Sequence, residues 1–363
     1  MYDGGCDSSQ HCKQEVYVLR IPILSKIFDE QFIEISALVL ETIEGKLPFD
    51  VFIRRASNTY TKLFPRDEPI DQDRIESYRN QKHISAFYVQ KGDYKQYLLY
   101  VEEIARQTFA EIPANPNDHI EGKTPPSAKK VANLVKEMIS STMFEIMINH
   151  NVDHVSVASA TRTVNACIDI LAKEPRTLIK IIHLMTKHPY TFRHSLSTAV
   201  FAMMLAQASE FKSDKSLRII GLGAFLHDIG MSRLPFDPEE KKELSPEEWK
   251  DMKEHPLHGK RLIEEVKGVP SEVRAIVLQH HEQPNGNGYP SGLRGRDIYP
   301  LAKAVSIADS FAALISARPF RPKPYSPQEA ISLMMEERGS FDPKLLEIFA
   351  GLFIKVKKPA KAG

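Results

Sequence analysis

Cysteine is scarce in this chain: three residues in 363, at Cys6, Cys12 and Cys167. An odd count without a CxxC pair argues against both a disulfide framework and a thiolate zinc ribbon. Net charge is lacking as well, since 48 Lys+Arg stand against 47 Asp+Glu for a formal +1. With no global positive field, the chain is not expected to hold a DNA or RNA polymer, although a local basic pocket remains open. Long apolar runs are also missing. No segment approaches the roughly 18 apolar residues of a spanning helix, and the stretch Leu196–Ala206 is interrupted by Ser197 and Thr198. The opening MYDGGCDSSQ has neither the basic nor the apolar region of a signal peptide. The expectation is a cytoplasmic protein without membrane association.

What is present begins with an ordinary globular composition, 42% apolar and 26% charged, which excludes disorder as the main state. The length favours two domains. Val16–Ile21, Phe49–Arg54 and Ser85–Gln90 carry the β-branched and aromatic residues of short strands, while Leu24–Glu44 and Tyr94–Phe109 have helical periodicity. Residues 1–110 therefore read as a small α+β accessory or regulatory domain. Residues 111–127 hold four prolines and no apolar periodicity, the composition of a linker. Beyond it, residues 128–363 read as one all-helical domain with segments at Lys129–Ile148, Val155–Lys173, Thr177–Lys187, Leu196–Ala208, Ser216–Leu226, Pro246–Val266, Ser271–His281, Ala302–Ala317 and Pro327–Glu337. Ser245-Pro246-Glu247-Glu248 is a helix start with an N-cap hydroxyl, proline at the first position and acids on the positive dipole end.

Histidine is the residue in excess, 13 against 3 cysteines, and eight of the 13 lie at or beyond His183. His194 begins a helix; His227-Asp228 ends an apolar helix just before Ile229-Gly230; His255-Pro256 interrupts a helical stretch; and His280-His281 ends another. Asp309 sits inside the apolar run Ala304–Leu314. A buried carboxylate there is costly unless a cation or hydrogen bonds satisfy it. Imidazole and carboxylate together suit Fe, Mn, Co, Ni or Zn, and the lack of thiolate disfavours a structural zinc site. Seven candidate ligands exceed what one ion takes. Two ions about 3.5–4 Å apart, bridged by a carboxylate, would use them, and that arrangement suits in-line hydrolysis of a phosphate ester.

These residues have an order that is recognisable. His194, His227-Asp228, His255-Pro256, His280-His281 and Asp309 resemble the ligand series of the HD-domain metal-dependent phosphohydrolases. His280–Leu293 (HHEQPNGNGYPSGL) resembles the HHE…GxGYPxGL signature of the HD-GYP subfamily, and Tyr190–Ser195, Trp249–His255, Arg318–Arg321 and Phe341-Asp342-Pro343 extend the likeness over roughly residues 180–355. The resemblance implies a C-terminal all-α HD-type fold and a phosphodiesterase that opens cyclic di-GMP to linear pGpG, GMP or both. It further implies two divalent ions, iron or manganese first, on His194, His227, Asp228, His255, His280, His281 and Asp309, with Asp228 bridging them. Asp228 and Tyr289 would take part in catalysis. Gly288, Tyr289, Pro290, Arg318 and Arg321 would contact substrate. Three-metal members carry a Glu where this chain has Tyr190, which favours two metals.

Some positions depart from the family. The usual HDIGK lysine, which meets the scissile phosphate, is Met231, and a thioether cannot neutralise a phosphate oxygen; Arg233 is the substitute two residues on. Pro238–Leu244 (PEEKKEL) replaces a Lys-Pro-Gly stretch, Ala312 replaces the acid of FDAL, and Gln283 stands where arginine is common. Three readings follow: a cyclic di-GMP hydrolase, a degenerate HD-GYP receptor that binds without efficient hydrolysis, and an HD hydrolase of another phosphoester. A homodimer through Lys129–Lys173, or a signalling partner at the N-terminal domain, completes the expectations.

Overall fold

The computed structural model describes residues 31–353 apart from 36, 42–44, 57–58, 81–83, 85, 112–127, 149–151, 174, 185–189 and 319. Cys6, Cys12, the strand expected at Val16–Ile21 and nearly all of the expected linker lie outside the described residues.

The N-terminal part is a four-stranded antiparallel sheet, β1 (Phe32–Ile35), β2 (Val51–Ala56), β3 (Thr59–Phe64) and β4 (Phe87–Gln90), in the order β1-β4-β2-β3. Three helices accompany it: the short α1 (Ala37–Leu40), α2 (Gln72–Asn80) and α3 (Tyr94–Ala110). The helix expected over Leu24–Glu44 is corrected at Phe32–Ile35, which is a strand; Ala37–Leu40 is helical, and residues 24–30, 36 and 42–44 lie outside the described residues. Phe32-Ile33-Glu34-Ile35 alternates, with Ile33 and Ile35 turned inward, and pairs with β4 in the register Phe32↔Gln90 to Ile35↔Phe87. Period-two burial of β-branched side chains overrode local helical spacing. Strand β3 and helix α2 were not expected.

Eleven further helices are described: α4 (Ala128–Ile148), α5 (His154–Lys173), α6 (Pro175–Leu184), α7 (Tyr190–Ala208), α8 (Asp214–Leu226), α9 (Pro246–Lys253), α10 (His255–Ile263), α11 (Ser271–Gln279), α12 (Pro300–Leu314), α13 (Pro327–Glu336) and α14 (Pro343–Phe353). The interruption expected at His255-Pro256 divides the stretch Pro246–Val266 into two helices. Pro256 cannot donate its amide, so the chain breaks before it and α10 starts afresh at His255. The capping box at Ser245 is present, with Glu248 closing it. Helix α14 was not anticipated, although Asp342 accepts hydrogen bonds from the amides of Lys344 and Leu345 at its start.

Buried polar bonds tie α3 to the helices that follow. Tyr97 donates to Glu137 on α4 at 2.7 Å, and Ser159 on α5 donates to Glu102 at 2.5 Å while Arg162 pairs with it at 2.6 Å. Toward the other end, Phe201 on α7, Phe311 on α12 and Phe349 and Phe353 on α14 form a nest of rings with centroids 4.7–6.5 Å apart. Each such pair contributes about 0.5–1.5 kcal/mol beyond its buried area. This nest fixes α7 against α12, which is what brings His194 to Asp309.

Candidate metal centre

Three of the histidines sit at helix C-termini for one shared reason. The last carbonyls of a helix have no intrahelical donor. His227 caps α8 and its Nδ1 lies 2.7 Å from Ala224 O; His255 follows α9 with Nδ1 2.7 Å from Met252 O; His280 caps α11 with Nδ1 2.8 Å from Val277 O. A carbonyl can only accept, so each Nδ1 carries the proton and each Nε2 is turned inward. That is the tautomer and orientation a metal-ligating histidine needs.

The inward nitrogens converge on two carboxylates. Asp228 Oδ2 lies 3.1 Å from His227 Nε2 and 3.5 Å from His194 Nε2, whereas Asp228 Oδ1 lies 3.3 Å from His255 Nε2 and 3.7 Å from His280 Nε2. Asp309 Oδ1 is 2.9 Å from His194 Nε2 and 3.7 Å from His227 Nε2, and its Oδ2 is 3.8 Å from His281 Nδ1. All of the expected metal residues are thus brought together. Six of them form two groups that share Asp228, namely His194, His227 and Asp228, and Asp228, His255, His280 and His281, while Asp309 lies against His194, His227 and His281. This donor set is consistent with a binuclear metal site.

Two features test the fit. His255 Nε2 and His280 Nε2 stand 3.1 Å apart, and since both Nδ1 atoms hold protons for carbonyls, two lone pairs face each other. They need a shared proton or a cation between them. His227 Nε2 is fully buried with no hydrogen bond of acceptable geometry, despite its closeness to Asp228. Both observations fit a group that binds divalent ions.

The electrostatics keep both carboxylates ionised. Burial is the largest single influence on Asp228 and opposes its ionisation, but His227, His255 and His280 together hold the carboxyl well below the usual carboxylate range. Asp309 is likewise buried and likewise held well below that range, by His194 and His227. Burial lowers His280 and His281, aided by neighbouring imidazoles, and lowers His194 against the pull of Asp309. His227 is raised well above its ordinary value because the two carboxylates outweigh its burial.

Glycine is required at two places by contact. A Cβ on Gly230 would stand 2.0 Å from His255 O and 2.4 Å from Gly259 N, so only glycine lets the turn after Asp228 lie against α10. A Cβ on Gly288 would meet Gln283 N at 2.3 Å and His281 O at 2.5 Å. Gly288 therefore shapes the loop without lining the cavity. Glu282, only 1% exposed, holds that loop by accepting from Ser291 N at 2.7 Å and Leu293 N at 2.8 Å. The loop includes a cis Tyr289–Pro290 peptide and places the Tyr289 ring 4.6 Å from His281. Burial pushes the Tyr289 phenol upward, so it stays a donor.

Above the centre lies a cavity of about 730 Å³ whose lining includes His194, Asp228, His255, His281, Asp309, Tyr289 and Arg318. The Arg318 guanidinium lies 3.5 Å above the Tyr190 ring, which stacks in turn on His194 at 5.0 Å. Two residues expected at substrate stand elsewhere. Arg321 donates to Ala313 O at 2.5 Å and Ser316 O at 3.3 Å, satisfying the end of α12. Arg233 lines a separate cavity of about 800 Å³ with His258 and Arg261. Ala312 is fully buried, and Pro290 does not line the metal cavity. Conversely, Lys241, Lys242, Trp249 and Phe320 do line it and were not among the residues expected to contact substrate. Trp249 and Phe320 are large, exposed aromatics, and exposure of that kind is invisible before the fold is known.

Histidines at helix ends around two inward carboxylates give a helical domain whose donor set is consistent with a binuclear metal site. Residues 165–345 match the HD domain family. The chain belongs to that family, and its GYP loop places it in the HD-GYP branch. It is 34% identical over 198 residues to "Cyclic di-GMP phosphodiesterase PA4108" of Pseudomonas aeruginosa, covering 54% of this chain and 47% of that protein. It is 36% identical over 138 residues to "Cyclic di-GMP phosphodiesterase response regulator RpfG" of Xanthomonas campestris pv. campestris, covering 37% of this chain and 36% of that protein. The chain thus spans less than half the length of these curated relatives. A solved structure, "Bd1817, a HDG"Y"P protein from Bdellovibrio bacteriovorus", shares the fold with a TM-score of 0.60 at 21% identity, over 88% of this chain and 99% of that one. Among the described residues no helix is long and apolar enough to cross a membrane.

Proposed function

We propose that the protein is a metal-dependent phosphodiesterase that opens cyclic di-GMP to linear pGpG, GMP or both. One observation carries the reading: Asp228 turns one carboxylate oxygen to His194 and His227 and the other to His255 and His280, on the floor of a cavity that also presents Tyr289 and Arg318. Two divalent ions, iron or manganese, would be held by those residues with His281 and Asp309. When bound, they supply Lewis acidity that lowers the pKa of water and offsets phosphate charge. The chain's own residues do the rest. Asp228 and Asp309 are kept ionised by the imidazoles around them. The Ala224, Met252 and Val277 carbonyls lock three Nε2 atoms inward. Tyr289 keeps its proton and offers it to a phosphate or leaving oxygen, while Arg318, braced on Tyr190, offers guanidinium donors. In this reading the substrate contacts are Tyr289 and Arg318, with Gly288 and Pro290 shaping the loop and Arg321 and Arg233 outside the cavity. Residues 1–110 serve as the regulatory or partner-docking part.

A second reading is favoured by Met231, which lines the same cavity where the family presents lysine: a receptor that binds cyclic di-GMP and turns it over poorly. Incubating Mn- or Fe-loaded protein with cyclic di-GMP separates the two. Linear product that vanishes in Asp228→Ala supports the hydrolase. Tight binding with no product over hours rejects it in favour of the receptor.

A further inference from the structure

Met231 lines the cavity without bringing it a charge, yet the cavity is not short of cations. Lys241, Lys242 and Arg318 all line it. Lys241 is already committed, with its Nζ 2.6 Å from Glu248 Oε1. Arg318 lies flat on Tyr190. Lys242 is exposed and, among the described residues, has no ion-pair partner.

The segment that carries Lys242 is fastened on both sides. Upstream, Glu239 accepts from the first amides of α7, Tyr190 N at 3.2 Å and Thr191 N at 3.0 Å, so the segment is bonded to the very helix that holds His194. Immediately before it, Lys241 meets Glu248, and downstream Ser245 N donates to the same Glu248 at 2.8 Å and closes the start of α9. Lys242 stands between these attachments, at the wall of the cavity. The acids on the same lining are Glu243 beside it and Asp228 and Asp309 on the floor. We propose that Lys242 supplies to the phosphate of a bound nucleotide the positive charge that Met231 cannot, reaching the cavity from the Pro238–Leu244 segment. A flexible four-carbon stem ending in a point charge suits that reach. The inference rests on the phosphodiester reading above only for the identity of the ligand.

The test uses metal-loaded full chain as wild type, Lys242→Ala, Lys242→Arg and the double variant Lys242→Ala/Met231→Lys. Each is titrated calorimetrically with cyclic di-GMP and, separately, with inorganic phosphate, and its metal content is measured. Loss of Lys242 is expected to weaken both ligands about tenfold with metal content unchanged. Lys242→Arg should bind nearly as wild type, and the double variant should regain most of the loss. A Lys242→Ala protein that binds both ligands as wild type does, including the case in which neither binds at all, overturns the assignment. Phosphate binding that depends on Lys242 while cyclic di-GMP does not bind supports the lysine and refutes the substrate named above.

Discussion

A Gly230→Ala substitution adds one methyl group where the backbone of α10 already stands. The new Cβ would lie 2.0 Å from His255 O, 2.4 Å from Gly259 N and 3.0 Å from Gly259 Cα. These are backbone atoms, so no rotamer change can relieve the contact. Ordinary separation of about 3.4 Å requires the turn and α10 to part by roughly 1.4 Å. Overpacking of this kind costs about 1–3 kcal/mol, which for a chain this long lowers Tm by a few degrees. The functional cost is more specific. His255 O and His255 Nε2 move together, and Nε2 now lies 3.3 Å from Asp228 Oδ1. A shift near 1 Å spoils the group of Asp228, His255, His280 and His281 and spares that of His194 and His227. The assay is metal content after anaerobic reconstitution, with a thermal melt on the same sample. The expected result is close to one ion per chain for the variant against two for the wild type, with Tm lowered. Two ions per chain and an unchanged Tm would refute the claim that this glycine sets the spacing of the centre.

Glu282→Ala removes a buried acceptor of two backbone amides, each bond to a charged group contributing about 1.5–3 kcal/mol. KM for cyclic di-GMP should rise as the loop bearing Tyr289 loosens, with metal content retained; an unchanged KM would show that the loop does not need the carboxylate. Glu137 is buried, and burial raises its carboxyl above the ordinary value even though Tyr97 donates to it. A raised folded-state pKa favours the folded protein below the unfolded pKa and loses that benefit as pH rises through the folded value. Glu137→Gln keeps an acceptor for Tyr97 without the charge, so its Tm should exceed wild type at pH 8 and the gap should close below pH 5. Parallel Tm curves across that range would contradict the burial argument.

Much of the site was legible along the chain because metal chemistry restricts residue types. Imidazole beside carboxylate on apolar helix ends is expensive without a ligand, so His227-Asp228, His280-His281 and Asp309 stood out before any coordinates. The helical part was legible for a related reason: 3.6-residue periodicity, the Ser245-Pro246-Glu247-Glu248 start and the break at Pro256 are local signals. The sheet was less so. Phe32–Ile35 is only four residues, and its strand identity depends on pairing with Phe87–Gln90 more than fifty residues away.

By itself, then, the order of residues determined which groups could ligate, that the ligand-bearing half is helical and that an uncharged Met231 follows His227-Asp228-Ile229-Gly230. Tertiary structure alone decided that Asp228 faces two groups at once, that Arg321 serves the end of α12 while Arg318 reaches the cavity, and that Lys242 stands at its wall. The physical reason is one of range. Ligand chemistry and helix propensity act over a few residues, whereas which nitrogen meets which oxygen, and which cation is left without a partner, depends on contacts between segments far apart in the chain.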